Sequence, residues 1–256
     1  MRRDIIAALQ RDLQGYLSLR KSRLESFCVL IVGVLVSRTV NLSHLAGAFP
    51  TQAEVASNYR RLQRFFEQVV LDSSQLARFI VRISGVGRGP WLLALDRTSW
   101  KFGRHDVNVL MLAIIHRGVA IPLMWQVLDR AGNSTTAQRE ALLSSFCAIF
   151  GSKAVAGLIA DREFVGTTWM TFLVEHRIPF ILRIKDAFQV RLTDGRHCQV
   201  SSLFRKLSAG GRRYIREECR LGSPGRPLGP PVQIAATRLA SGDLLVVATN
   251  SDPRTA

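Results

Sequence analysis

The chain has 256 residues, 47% of them hydrophobic, a composition that supports one or two buried cores and argues against intrinsic disorder. Its 35 Lys and Arg residues outnumber 19 Asp and Glu, and the net charge of +16 favours a polyanionic partner, most commonly nucleic acid. The excess is +7 over residues 1–90, +4 over 91–185 and +5 over 186–256, so we expect it on folded surface. The alternative is a basic surface that reflects only an Arg-biased genome.

Cysteine spacing and the length of the apolar runs exclude further classes of protein. The four cysteines are Cys28, Cys147, Cys198 and Cys219. They lie far apart without a C-x-x-C pair, which argues against a zinc site or disulfide framework and fits a reducing cytoplasm. We interpret His197, beside Cys198, as structural. The apolar run 27–36 is too short to cross a bilayer and starts too late for a signal peptide, so it predicts a buried helix.

Residues 1–84 are predicted to form a small helical domain. Apolar residues recur at helical spacing over 5–36, a short helix over 41–50 ends at Pro50, and further helical runs cover 56–69 and 73–84. The run 56–69, "ASNYRRLQRFFEQV", places three arginines beside apolar residues: Arg60, Arg61 and Arg64. These arginines could contact DNA phosphates, or they could form a solvated helix face.

After the linker "GVGRGP" (85–90) the pattern changes to strands. Its glycines precede a strand instead of opening a helix, which excludes a dinucleotide-binding loop. Strand-like segments at 91–96, 107–115 and 119–128 are followed by a helix over 134–150, a strand over 154–161, a helix over 167–177 and a strand over 180–185. The residues His116-Arg117-Gly118 predict a tight hairpin turn.

This order predicts an α/β protein: an N-terminal helical domain (1–84) followed by a ribonuclease-H-like mixed sheet with helices (91–185). In that topology the fourth strand returns beside the first and parallel to it. Residues 186–256 form a C-terminal strand-rich insertion region, with a Gly/Pro loop at 222–231 and strand pieces at 232–239 and 244–250.

Two aspartates end matched strands. "WLLALDR" and "AVAGLIADR" are each an apolar strand that runs into Asp and then Arg, at Asp96 and Asp161. Adjacent parallel strands would bring the two carboxylates together, where they would repel unless a cation lay between them. Oxygen ligands without His or Cys suit Mg²⁺ or Mn²⁺. Alternatively, each Asp caps the following turn and pairs with its own Arg.

The blocks "LALDRTSWKFG", "NVLMLAIIHRGVAIPLMW", "GLIADREFVG" and "PFILRIK" resemble the core of bacterial DDE transposases of the insertion-sequence-four family, over roughly residues 55–190. In that family a ribonuclease-H-like core uses two Asp and one Glu to bind two Mg²⁺, cuts DNA at transposon ends and joins the freed 3′-OH to a target. The resemblance implies that Asp96 and Asp161 are the first two catalytic acids and metal ligands. It also implies double-stranded DNA as the partner and leaves a homodimer open.

The resemblance implies further that Arg162, Arg183 and Lys185 lie near the DNA backbone. Arg183 and Lys185 are two residues apart and share one face of a strand, although a plain exposed face remains the alternative. Two residues close in sequence to Asp96 and Asp161 are not expected to bind the metal. Thr98 should share a side with Asp96, and Glu163 is interpreted as supporting or structural.

Core packing is the interpretation for three tryptophans: Trp100, Trp125 and Trp169.

The resemblance does not extend to the third catalytic acid of the family. In the family a Glu on a later helix is marked by a Tyr, an Arg three residues on, the Glu four beyond and a Lys seven further. The residues three beyond the tyrosines here are Leu19, Leu62 and Glu217. We therefore expect a chain that is C-terminally incomplete, a two-metal site that lacks its third acid, and little or no strand transfer by this chain alone.

Two other readings stay open. A truncated fragment would only bind DNA or dimerise, without catalysis. A ribonuclease-H-like nuclease unrelated to mobile elements would also require further acids. In every case we expect a bacterial cytoplasmic protein associated with the nucleoid and not with a membrane.

Overall fold

The computed structural model describes residues 2–47, 49, 53–129 and 131–251. Contacts divide the chain into two compact units, Met1–Gly85 and Val86–Ala256. Pro50, where the sequence predicts the end of a helix, lies outside the described residues. The α/β class predicted from the sequence is confirmed.

All regular structure in the described part of the first unit is helical. Its helices are α1 (Arg2–Gln14), α2 (Lys21–Ser37), α3 (Leu42–Gly47), α4 (Val55–Gln68) and α5 (Ser73–Ser84). The apolar run 27–36 lies in α2, where Cys28, Val29 and Val32 are buried because they follow one face of the helix. These side chains pack with Leu13 and Leu62 in one apolar core.

The second unit begins with a three-stranded meander. The strands are β1 (Trp91–Phe102), β2 (His105–His116) and β3 (Val119–Leu128). Arg117 and Gly118 both have positive φ, 50° and 79°, as a tight two-residue hairpin turn requires, and the turn predicted at 116–118 is confirmed. The first strand is longer than the predicted 91–96, since its polar half pairs with β2 as far as Phe102.

Alternating helices and strands follow, as predicted. They are α6 (Thr136–Phe150), β4 (Val155–Ala160), α7 (Thr167–Glu175) and β5 (Phe180–Ile184). Thr135 and Gln138 form a reciprocal capping box that starts α6. A short 3-10 turn, Arg162–Phe164, comes after β4.

The remaining residues are strand-rich, as the sequence predicts. The elements are β6 (Gln189–Arg191), β7 (His197–Gln199), α8 (Val200–Leu203), β8 (Arg212–Tyr214), β9 (Cys219–Leu221), β10 (Pro231–Arg238) and β11 (Leu244–Thr249). The strand β11 extends the sheet beside β5. Asn250 fixes this junction, because its side chain accepts a hydrogen bond from Phe180 N and donates one to Ile178 O.

One mixed sheet runs through the second unit, in the order β3-β2-β1-β4-β5-β11-β10-β9-β6-β7, with β8 paired to β10. The meander strands are antiparallel, whereas β4 lies parallel to β1, and β5 parallel to β4. The carboxyl ends of β4 and β5 therefore lie at the same edge of the sheet.

The two faces of this sheet differ. Strand register aligns six side chains, all buried, across one face: Met124, Leu112, Leu95, Ala160, Leu182 and Ala248. Helix α6 covers this face, since Trp91 packs edge-on against Phe146 and Phe150. Because side chains alternate along a strand, the next residue of each strand points to the opposite face, which we call the open face.

Candidate active site

Strand register brings the two predicted acids to neighbouring positions. Leu95 of β1 and Ala160 of β4 are paired residues, and Asp96 and Asp161 follow them directly. Asp161 keeps an extended backbone, with φ −78° and ψ 173°, so the alternation of side chains continues through it. Both aspartates are exposed on the open face, on strands that are about 4.8 Å apart.

Only one of these aspartates follows the last residue of its strand. Asp161 does so, whereas Asp96 lies inside β1, at the point where pairing with β4 stops and pairing with β2 continues. The prediction that Asp96 ends its strand was wrong because residues 96–102 continue β1 by antiparallel pairing with β2, although the side chains of residues 96–101 are not buried. The two acids nevertheless stand at one end of the parallel pair.

The side chain of Arg97 points away from Asp96. Alternation places its guanidinium on the helix-covered face, where Nε and Nη2 donate to the two carboxylate oxygens of Glu163 at 3.0 and 2.9 Å. A third bond, at 3.2 Å, goes to Oδ1 of the buried Asn108. Pairing with Glu163 raises the pKa of Arg97 above its ordinary value. Asp96 accepts a hydrogen bond of 2.7 Å from the backbone N–H of Arg97.

Asp161 pairs with a cation from the neighbouring strand. Nη1 of Arg183 in β5 lies 3.4 Å from Oδ1 of Asp161, and both side chains are about half exposed, at 46% and 49%. Arg183 and Lys185 are exposed on either side of the buried Ile184, so they share the open face. Arg162 is exposed in the 3-10 turn.

The 3-10 turn after Asp161 is anchored by two arginines. Besides the Arg97–Glu163 pair, Nη2 of Arg139 in α6 donates to the backbone carbonyl of Glu163 at 3.2 Å. The Arg139 guanidinium also lies 5.0 Å from the ring centre of the buried Phe164. Burial lowers the pKa of Arg139. Glu163 is thus tied to structure instead of facing the aspartates.

Sequence reasoning did not single out Arg139. Arg139 is 6% exposed and lies three and four residues before the buried Leu142 and Leu143, on the apolar face of α6. An arginine in the apolar stripe of a helix is the signal that could have identified it, because a buried charge requires partners. Thr98, the other residue predicted near the acids, is exposed two residues beyond Asp96 and on the same side of β1.

In the part of the chain that the structure describes, the two acids are not joined by a third carboxylate, histidine or cysteine. Within the described residues, no group of three or more His, Cys, Asp or Glu side chains is arranged to hold a metal ion. The four cysteines are free thiols. Asp96 and Asp161 are the two carboxylates that strand register brings together on the open face.

The three arginines predicted in the helical unit have different environments. Arg61 is held by Glu25, Ser26 and the Ser22 carbonyl at 3.0, 2.8 and 3.2 Å, so it ties α4 to α2. Arg60 and Arg64 are exposed. An open groove of about 590 Å³ carries four arginines, Arg20, Arg23, Arg61 and Arg64. The predicted trio is thus one structural residue and two solvent-facing ones.

Comparison with known proteins adds no information about this site. No protein-family model matches the chain, and no curated protein matches it. Across the described residues, no helix combines the length and apolar character that a membrane span requires.

Proposed function

We propose that this chain is the core of a DDE transposase of the insertion-sequence-four type, with a ribonuclease-H-like catalytic sheet that acts on transposon-end DNA. The observation that carries the proposal is the Leu95–Ala160 register, which sets Asp96 and Asp161 side by side on an open, solvent-accessible face. The strand order β3-β2-β1-β4-β5 and the parallel pairing of β1, β4 and β5 support it.

The two carboxylates fit a hard divalent cation. They supply oxygen donors only, they are exposed, and their mutual repulsion is relieved when a cation binds between them. Mg²⁺ or Mn²⁺ bound there would activate a hydroxyl nucleophile and stabilise the leaving oxygen of a phosphodiester. Asp96 and Asp161 would hold the ion, and Thr98 lies beside them on the same strand face.

The cationic side chains around Asp96 and Asp161 are suited to bind the DNA phosphates on either side of the scissile bond. Arg183 and Lys185 project on the same face as Asp161, and Arg162 is exposed in the adjacent turn. Their role in this proposal is to bind the phosphates that flank the scissile bond and to hold the DNA strand over the carboxylates. The Arg97–Glu163 pair and Arg139 hold the turn that follows Asp161.

A second candidate is a DNA-binding protein without catalysis. Two observations favour it: no third acid joins the pair in the described residues, and Arg183 already pairs with Asp161. A metal held by two carboxylates is under-coordinated, so little or no strand transfer is expected from this chain alone.

The test uses the purified full chain with labelled duplexes taken from the flanks of its own gene. Mn²⁺ binding is measured by water-proton relaxation, and 3′-end cleavage is followed on gels. The variants Asp96→Asn and Asp161→Asn should lose Mn²⁺ binding. The matched control is Asp106→Asn, an exposed carboxylate that pairs across the hairpin from Lys101, about 17 Å along the strand from Asp96. It should keep Mn²⁺ binding.

The outcomes separate the two candidates. Equal Mn²⁺ binding by all four proteins would overturn the metal role of the aspartates. DNA binding without any Mn²⁺ binding by the wild type would establish the second candidate. Efficient 3′-end cleavage by the chain would contradict the inference that two acids are insufficient.

A further inference from the structure

A second basic surface lies in the strand-rich part of the second unit. It is an open groove of about 900 Å³ formed by β7, α8, β8 and the segments that flank them. Its cationic lining residues are Arg196, Arg205, Lys206, Arg213 and Arg216. Five of the thirteen lining residues are thus Arg or Lys, and one, Glu217, is acidic.

Most of this charge is not neutralised locally. Arg196 pairs with Asp194 at 2.6 Å, and Glu217, the acidic lining residue, accepts a hydrogen bond from the Thr193 hydroxyl. The other four cations are exposed and form no ion pair with any residue that the structure describes. Exposed, unpaired cations on several sides of an open groove favour a polyanion over a single small anion.

The groove is in line with the candidate active site. Tyr214, which lines it, pairs with Ala235 of β10. Ala235 pairs with Val247 of β11, and Val247 pairs with Arg183 of β5, the residue that contacts Asp161. Four strand spacings of about 4.8 Å separate β4 from β8, which is about 19 Å. That span equals five to six base pairs of duplex DNA at about 3.4 Å each.

We propose that this groove, the 196–216 groove, binds the phosphate backbone of the same double-stranded DNA whose scissile phosphate reaches Asp96 and Asp161. The inference rests on the proposed function and adds to it a contact about half a helical turn of DNA away from the acids. The groove supplies affinity and orientation but no chemistry, because phosphate contacts fix the register of a duplex without reading its bases.

The test compares two triple variants of the full chain that remove the same charge. The groove triple is Arg205→Gln, Lys206→Gln and Arg216→Gln. The control triple is Arg117→Gln, Lys153→Gln and Arg177→Gln, three exposed cations at the opposite end of the sheet, before β3, β4 and β5. Binding of a fluorescein-labelled duplex is measured by anisotropy over a series of NaCl concentrations.

The groove triple should weaken duplex binding by about tenfold or more. It should also reduce the slope of log K against log[NaCl] by about 2 to 3, since each lost phosphate contact removes nearly one unit. The control triple should change the slope by less than about one unit. Circular dichroism checks that both triples fold like the wild type.

Failure of this inference is distinguishable from failure of the proposed function. If the wild type binds duplex DNA and the two triples weaken duplex binding equally, the proposed role of the 196–216 groove is overturned, while the role of the aspartates stands. If the wild type binds no duplex, the transposase proposal itself falls. A selective loss in the groove triple supports the groove whether or not the chain cleaves DNA.

Discussion

Two arginines that follow aspartates in the sequence serve different neighbours in the fold. Alternation along β1 sends Asp96 and Arg97 to opposite faces, so Arg97 binds Glu163, 66 residues away, while Asp161 pairs with Arg183. The alternation is predictable from the sequence. The partner of Arg97 is not, because it depends on the 3-10 turn that turns Glu163 back onto the helix-covered face.

We expect the Arg97–Glu163 pair to stabilise the fold measurably. It is bidentate and its side chains are only 16% and 24% exposed, so each partner left alone is a poorly solvated charge. Arg97→Gln and Glu163→Gln should each lower the free energy of unfolding by about 2 kcal/mol, with a coupling of about 1 kcal/mol in the double variant. Urea unfolding of the four proteins measures it.

The control for this cycle is the Arg196–Asp194 pair, which is two residues apart and largely exposed. Its double-mutant cycle should show no measurable coupling. Strictly additive losses at Arg97 and Glu163 would contradict the expectation and would make the pair incidental.

Arg183 is expected to oppose metal binding when DNA is absent. Its guanidinium lies 3.4 Å from the Asp161 carboxylate, so a cation must compete with it, whereas a DNA phosphate would draw it away. Arg183→Gln should raise the Mn²⁺ affinity of the free protein about two- to fivefold, the range of a half-exposed ion pair, and should weaken DNA binding. Titration with Mn²⁺ by water-proton relaxation and duplex anisotropy provide the measurements.

Lys185→Gln removes the same charge from the same face without breaking an ion pair to Asp161. It should weaken DNA binding and leave Mn²⁺ affinity nearly unchanged. If both variants raise Mn²⁺ affinity equally, the effect is general electrostatics and the specific competition is refuted.

Element boundaries show where apolar pattern is informative. The pattern predicted β3 at 119–128 and placed β4 and β5 within one residue at each end, because these strands bury a face. It stopped β1 at 96, six residues early, because the polar half of β1 is held by pairing and not by burial. The adjacency of Asp96 and Asp161 could still be predicted, since it depends only on parallel register.

For the tryptophans, the sequence prediction overestimated burial. Core packing was expected for all three, yet Trp100 and Trp125 are 50% and 48% exposed, and only Trp169 is fully buried. Trp100 and Trp125 are on the open face, at the same strand parity as Asp96, as the pairing of Asp96 with Met111 and of Met111 with Trp125 shows. Residue type indicated burial, whereas strand parity decided it.

This difference has a measurable consequence for stability. Trp169→Ala should lower the free energy of unfolding by about 3 to 5 kcal/mol, because it opens a cavity in a packed core. Trp100→Ala and Trp125→Ala should each cost about 1 kcal/mol or less, because half of each side chain is already in water. Urea unfolding followed by far-UV circular dichroism avoids tryptophan as the probe. Equal losses at the three positions would place the open face inside a core.

At the scale of the whole molecule, charge is shared by both compact units. Residues 1–85 hold 12 Lys and Arg against 6 Asp and Glu, and residues 86–256 hold 23 against 13, so the net charges are +6 and +10. Each unit has a groove lined by part of its excess positive charge. In the helical unit the groove is lined by Arg20, Arg23 and Arg64, and in the second unit it is the 196–216 groove. The sequence gives these totals, but the grooves require the fold, because their cations come from separated segments.

If the grooves of both units contact one bound duplex, their contributions to its salt dependence should add. A helical-unit triple, Arg20→Gln, Arg23→Gln and Arg64→Gln, leaves Arg61 in place because Arg61 holds α4 to α2 through Glu25. This triple should reduce the slope of log K against log[NaCl] by about 2 to 3. Combined with the groove triple of the second unit, the reduction should be about 5, since each phosphate contact contributes its own term to the slope.

The matched control removes three exposed arginines from other positions of the same helical unit, by the changes Arg11→Gln, Arg78→Gln and Arg82→Gln. Anisotropy with one duplex and one salt series compares all five proteins, the wild type included. Small effects of each triple alone, with a large loss only in the combined variant, would contradict joint binding, because this result would mean that either groove holds a duplex by itself. A control equal to the helical-unit triple would show that this unit contributes only diffuse charge, and that its groove makes no phosphate contact of its own.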